Sequence, residues 1–261
     1  MKKLILPILL LALFCTAAVP QQQQTNEQTA RLVDFFGEIQ ISDLKARLDN
    51  FAIELQNTPD SKGFIVVYAA KQKFPGWPLR RANYSLSYLI NSRGLDAARV
   101  SVFSGELRDA TTFELWVVNA GAELPVKPFD TSLLMVGEKT PLPFDRFTVM
   151  ERGDPTEYEE YEPYPDAEGL YEYFADALRH DPGLRGCIIA YTSRRGSRVA
   201  DRRIASRAKM AIAKAHAIDV SRLVALGGGR REYKMVELWL VPPGAELPKP
   251  TPTIRPKKRK R

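Results

Sequence analysis

Histidine and cysteine are scarce in this chain: 261 residues hold two of each. His180 and His216 stand in no metal-ligand spacing with each other or with a cysteine, and no nucleophile–base–acid pattern surrounds either. Cys187 lies alone in the apolar run Cys187-Ile188-Ile189-Ala190-Tyr191, where a single cysteine is a small buried hydrophobe. With Cys15 in the N-terminal segment, one mature cysteine excludes a disulfide framework. Long apolar runs are missing too: the only one, Leu4–Phe14, has eleven residues, against the roughly 20 of a membrane-spanning helix. Gly227-Gly228-Gly229 does not make a phosphate loop, because such loops open directly into a helix. Here Arg230-Arg231-Glu232 leads to a strand, and the glycines fit a hairpin turn. The residues therefore predict no metal, no cofactor and no catalytic constellation.

Charge is distributed unevenly. The formal net charge is +7. Lys2 and Lys3, with Arg255, Lys257, Lys258, Arg259, Lys260 and Arg261, account for eight of the 38 basic residues, and the remaining 30 face 31 acids. A neutral body argues against nucleic acid as the partner of the folded part. The two lysines, the apolar run and Thr16-Ala17-Ala18 form a secretory signal peptide over residues 1–18, so a periplasmic or secreted protein is expected. Cys15 raises the alternative of a lipid-anchored envelope protein, although Phe14 stands where a lipoprotein signal has a small residue. Residues 249–261 read as a Pro-rich linker and a basic tail, Lys257, Lys258, Arg259, Lys260 and Arg261, suited to an anionic envelope polymer or lipid.

The body repeats itself. A shift of 123 residues brings Phe51-Ala52 onto Phe174-Ala175, Gly63 onto Gly186, and Asp96 and Arg99 onto Asp219 and Arg222. The same shift matches Glu114-Leu115-Trp116 with Glu237-Leu238-Trp239, and the Gly-Ala-Glu-Leu-Pro at 121–125 with that at 244–248. One offset held over so long a stretch marks a duplication. Residues 31–125 form the first repeat, 126–157 an acidic, Pro-rich connector and 158–248 the second repeat.

Periodicity gives each copy an order β-α-β-α-β-β, a mixed α/β class. Phe35–Ile41 is expected as the opening strand, followed by a helix that starts at Ser42-Asp43 and buries Leu44, Leu48, Phe51, Ala52 and Leu55. Phe64–Tyr68 is a strand covered on both faces, and a second helix runs from about Leu79 to Ser92. Val100–Phe103 and the alternating Phe113, Leu115 and Val117 complete the copy. Tyr158–Tyr164 is the expected opening strand of the second copy. Trp116 and Trp239 sit opposite the core-facing leucines, as packing residues rather than a ligand platform.

This order resembles the OmpA-like periplasmic domain that anchors envelope proteins to peptidoglycan. Arg207-Ala208 is similar to that family's "LSxxRA" helix start, and Ala217–Leu223 to its helix exit into the third strand. The resemblance implies a family fold for each copy. It does not extend to the ligand residues. Where the family has an Asp after the second strand, this chain has Ala69-Ala70-Lys71 and Thr192-Ser193-Arg194. Where the family has "NRRV", it has Phe113-Glu114-Leu115 and Val236-Glu237-Leu238. Clamping of diaminopimelate in the family's manner is therefore not expected.

The family's ligand loop leads into the second helix, and there the second copy gathers Arg194, Arg195, Arg198, Arg202, Arg203 and Arg207. The first copy has Lys71, Lys73, Arg80 and Arg81 instead. Arginine forks suit carboxylates and phosphates, which makes these six the expected anion contacts. The function expected is non-enzymatic: an exported envelope protein that binds an anionic polymer or another envelope protein. The alternative is an enzyme, or an enzyme-linked lipoprotein, with a site at the interface between the copies.

Overall fold

The apolar run at 64–68 becomes an inner strand, paired on both sides, with helices packed on one face of its sheet. The computed structural model describes residues 29–71, 74–130, 134–135, 137–149, 171–197 and 199–254. The expected signal segment, Cys15, Arg198 and the basic tail lie outside these residues. The first unit comprises β1 (Ala30–Phe36), α1 (Ile41–Asn57), β2 (Lys62–Tyr68), α2 (Gly76–Asn91), β3 (Val100–Ser104) and β4 (Thr112–Val118). The second comprises β5 (Leu142–Thr148), α3 (Glu172–His180), β6 (Arg185–Thr192), α4 (Ala200–His216), β7 (Leu223–Arg230) and β8 (Met235–Val241).

The described residues thus form a mixed α/β protein with two four-stranded sheets and four α-helices. Strand order is β1-β4-β2-β3 in one sheet and β5-β8-β6-β7 in the other. In each, a helical crossover joins the parallel pair, β2 with β3 and β6 with β7, and the last strand runs antiparallel between its neighbours. No helix among the described residues is long and apolar enough to cross a membrane.

Four expectations are corrected. The opening strand is β1 at Ala30–Phe36, not Phe35–Ile41, because Ile41 is already the first buried residue of α1. That helix has Gln40 as N-cap and no side-chain cap bond, so Ser42-Asp43 lies inside it. In the second sheet the place beside β8 belongs to β5, inside the segment expected to be a connector. Phe144 and Phe147 supply the apolar cover this position needs, at 2% and 9% exposure. Tyr158–Tyr164, the strand expected there, lies outside the described residues. Gly227-Gly228-Gly229 is part of β7 rather than a hairpin turn.

Register identifies the equivalent strands better than the sequence shift. β1 has a bulge between Leu32, opposite Trp116, and Asp34, opposite Leu115. β5 has one between Pro143, opposite Trp239, and Asp145, opposite Leu238. Asp34 and Asp145 therefore occupy the same place.

Several residues matched by the repeat hold the fold. A methyl on Gly63 would lie 2.6 Å from Leu55 and one on Gly186 2.8 Å from Phe174, so only glycine lets the first helix of each unit approach its sheet. Arg99 donates to the carbonyls of Leu55, Thr58 and Ser61. Arg222 does the same for Leu178, Asp181 and Leu184. Each guanidinium thereby satisfies the free carbonyls at the end of α1 or α3. The turns presenting them are fixed by Asp96 and Asp219, which accept from Ala98 and Ser221 amides.

Beneath the second sheet, Cys187, Ile189, Tyr191 and Val241 form a small apolar cluster, packed by Ala245 and Leu247 of the segment after β8. Burial pushes the Cys187 thiol up to about 12. A thiolate is the reactive form, so native protein should leave Cys187 unlabelled by an aromatic disulfide reagent at pH 8, with full labelling in denaturant. Rapid labelling of the folded protein would contradict this packing.

Candidate functional site

The start of α2 is where the two units meet. The Phe74 amide donates to the Pro143 carbonyl at 3.0 Å, and Phe74 itself has a positive φ of 47°, a conformation that non-glycine residues rarely adopt. Gly76 stands against the Phe144 ring, where any side chain would collide. Arg80 donates through Nε to Asp145 at 2.9 Å and lies over the Phe147 ring at 5.6 Å. Both members of this ion pair are buried, with side chains 7% and 3% exposed. The neighbouring Arg81 is buried as well, donating to the Ile39 carbonyl at 2.7 Å and lying over Trp77. Arg80 and Arg81 are thus structural, and of the four first-copy basic residues only Lys71 is on the surface among the described residues, beside Asp109. The contact between units sets Asp145 against an arginine.

In the first unit the place of Asp145 is held by Asp34, which pairs with Arg47 of its own α1 at 2.7 Å. Arg47 lies over the Phe36 ring as Arg80 lies over Phe147. One geometry is thus built twice, once within a unit and once across the boundary.

The start of α4 is the counterpart of the start of α2, and among the described residues no strand of the other unit packs on it as β5 packs on α2. Arg203, the equivalent of Arg80, is exposed, as are Arg195, Arg202 and Arg207. Their guanidinium groups pair with no carboxylate among the described residues. Arg194 is exposed and bonds to Glu232 at 3.0 Å. Arg230 braces the turn from below, donating to the carbonyls of Arg194 and Gly196. Asp201, 7% exposed, accepts from the Gly229 amide at 2.9 Å and ties α4 to β7. Five of the six predicted arginines therefore share the loop and outer face at the start of α4, and Arg198 lies outside the described residues.

Sequence reasoning missed a second feature, on the sheet faces turned away from the helices. Glu114 accepts from the Tyr68 hydroxyl at 3.0 Å, from Trp116 Nε1 at 2.9 Å and from Arg108 at 3.1 Å. Glu237 accepts from Tyr191 at 3.1 Å, from Trp239 at 3.3 Å and from Arg231 at 2.7 Å. Each guanidinium also stacks on the tyrosine ring, at 3.2 Å for Arg108 and 3.6 Å for Arg231. Gly105 and Gly228 lie against those rings, and a methyl on Gly228 would come within 2.5 Å of Tyr191. All of these positions obey the 123-residue offset, so pairing the polar residues of the two copies would have found them. Burial, with the bonded Glu114 carboxylate second, pushes the Tyr68 hydroxyl up to about 12, which keeps it a donor at neutral pH. Each carboxylate receives three side chains at once, so chemically these clusters are clasps that fix Trp116 and Trp239. Trp239 also packs against the Cys187 cluster, on the face away from the helices and not under a helix.

His180 Nδ1 contacts the Asp176 carbonyl at 3.1 Å on the surface. The His216 Nε2 atom is buried without a hydrogen-bond partner among the described residues. No group of three or more His, Cys, Asp or Glu side chains suited to a metal occurs among the described residues.

The chain matches no protein-family model. No curated protein matches it either. Among solved structures it is similar to the crystal structure of a chorismatase determined at 1.08 Å resolution, with 11% identity and a TM-score of 0.25 over 79% of this chain and 74% of that one. A likeness at that score carries no argument about fold or activity.

Proposed function

We propose that this is an exported, non-enzymatic envelope-associated protein built from two OmpA-like units, whose second unit contacts anionic envelope polymers through the start of α4. The observation that carries the reading is the asymmetry of one surface. In the first unit it is buried against β5, with Arg80 spent on Asp145. In the second it is open, and Arg195, Arg202, Arg203 and Arg207 crowd it without carboxylate partners among the described residues. A polyanion laid on this surface gains forked, charge-assisted bonds to several guanidinium groups at once. The basic run at 257–261 adds charge of the same sign. Export rests on the signal-like first 18 residues.

Polyphosphate serves as the probe. Wild type should bind it at about 0.1 M salt and lose most of that affinity at about 1 M, as the Debye length falls from about 10 to about 3 Å. Arg195/Arg202/Arg203→Ala should bind about tenfold more weakly at low salt, equivalent to about 1.4 kcal/mol. Equal affinity of the variant and wild type would remove the α4 surface from the account.

A further inference from the structure

The end of β7 is held from two sides. On one side the Gly229 amide donates to Asp201 at the start of α4, and the Arg230 guanidinium donates to the carbonyls of Arg194 at 3.1 Å and Gly196 at 2.9 Å. On the other, the amides of Thr253 and Ile254 both donate to the Arg230 carbonyl at 3.1 Å. Pro252 closes over Gly229, whose φ of +85° turns the strand end toward it. One residue further on, Arg231 donates to the Thr251 hydroxyl at 2.7 Å and to its carbonyl at 3.2 Å, while the Thr251 amide donates to the Tyr191 hydroxyl at 3.1 Å. Three consecutive residues of β7 and its exit thus join the chain's final described segment to the arginine-bearing turn.

Building on the proposed anion-contacting role of α4, we propose that residues 244–254 form a detachable strap that regulates this surface: docked, it holds the Arg194–Gly196 turn in shape through Arg230, and released, it loosens the turn and weakens anion contact. The strap is suited to release. Thr251, Pro252 and Thr253 are exposed, and its apolar contacts with the sheet come from the partly buried Ala245 and Leu247. A segment tied by surface hydrogen bonds opens far more readily than the core beneath it. The device belongs to the second unit alone, since Leu107 replaces Arg230 and Pro128 replaces Thr251 at the matching positions of the first. The sequence runs from the strap directly into the basic tail, so a polymer that engages the tail pulls on the strap.

The test is amide hydrogen exchange on the full chain, wild type against Thr251→Pro, which removes both the amide given to Tyr191 and the hydroxyl that receives Arg231. Exchange should quicken severalfold in residues 249–254 and also in 193–203, with 69–81 unchanged, and polyphosphate affinity should fall severalfold. Arg230→Ala keeps the strand's backbone and removes the brace, so it should quicken 193–197. Quickening confined to 249–254 in Thr251→Pro would overturn the coupling, as would exchange that spreads to the turn while polyphosphate affinity stays the same. Were wild type to bind no polyphosphate, the functional reading and the strap's control of it would both fall. The exchange pattern would still decide whether strap and turn are mechanically joined.

Discussion

Asp145→Ala will lower the unfolding free energy by about 3–5 kcal/mol, because it removes the carboxylate that faces the buried Arg80 guanidinium where the two units meet. The side chains of this pair are 7% and 3% exposed, and Arg80 also donates to the Arg146 carbonyl. The matching pair in the first unit supplies the control. Arg47 and Asp34 are 39% and 27% exposed, and Arg47→Ala should cost only about 0–1 kcal/mol. Urea unfolding followed by tryptophan fluorescence compares the two directly. Equal, small losses would mean that the units do not depend on this contact.

Glu237→Leu should be about as damaging. Glu237 is 5% exposed and receives Tyr191, Trp239 and Arg231 at once. Removing it strands one charge and two polar hydrogens beneath the second sheet, and losing one partner of a buried charge pair costs about 3–5 kcal/mol. Arg231 would keep its bonds to Thr251 of the strap and to the Met235 sulfur but lose its only carboxylate among the described residues. Glu114→Leu should cost less, since Arg108 is 38% exposed against 14% for Arg231 and can be hydrated. Differential scanning calorimetry of the two variants gives the order. A larger loss for Glu114→Leu would contradict the burial that distinguishes the clusters.

The uniform offset made most elements legible, because Gly63 and Gly186, or Arg99 and Arg222, do the same work at the same place in each unit. It failed at the opening strand of the second unit. There the connection from β5 to α3 is far longer than that from β1 to α1, so a single offset cannot align both strand and helix. That failure hid a second fact. Because Asp145 fell in a presumed connector, nothing in the sequence showed that Arg80 had a buried partner, and it looked like a loop cation. The Glu-centred clasps were legible in principle. Tyr68, Gly105, Arg108 and Glu114 all have exact counterparts at the offset, but repeated polar residues signal structure only when it is asked which of them lie on one sheet face. The arginines of the second unit were visible as a cluster, whereas their exposure depends on a neighbour that only the first unit has.

Where a polyanion touches the chain is the measurement that bears most directly on this account. Amide exchange of the full-length protein with and without saturating polyphosphate reports the footprint residue by residue. Protection should concentrate on residues 193–207, with little change at 69–81, because the same surface is buried between the units there. Protection confined to the tail at 255–261, or equal protection of both surfaces, would contradict the assignment of anion contact to the open end of the second unit.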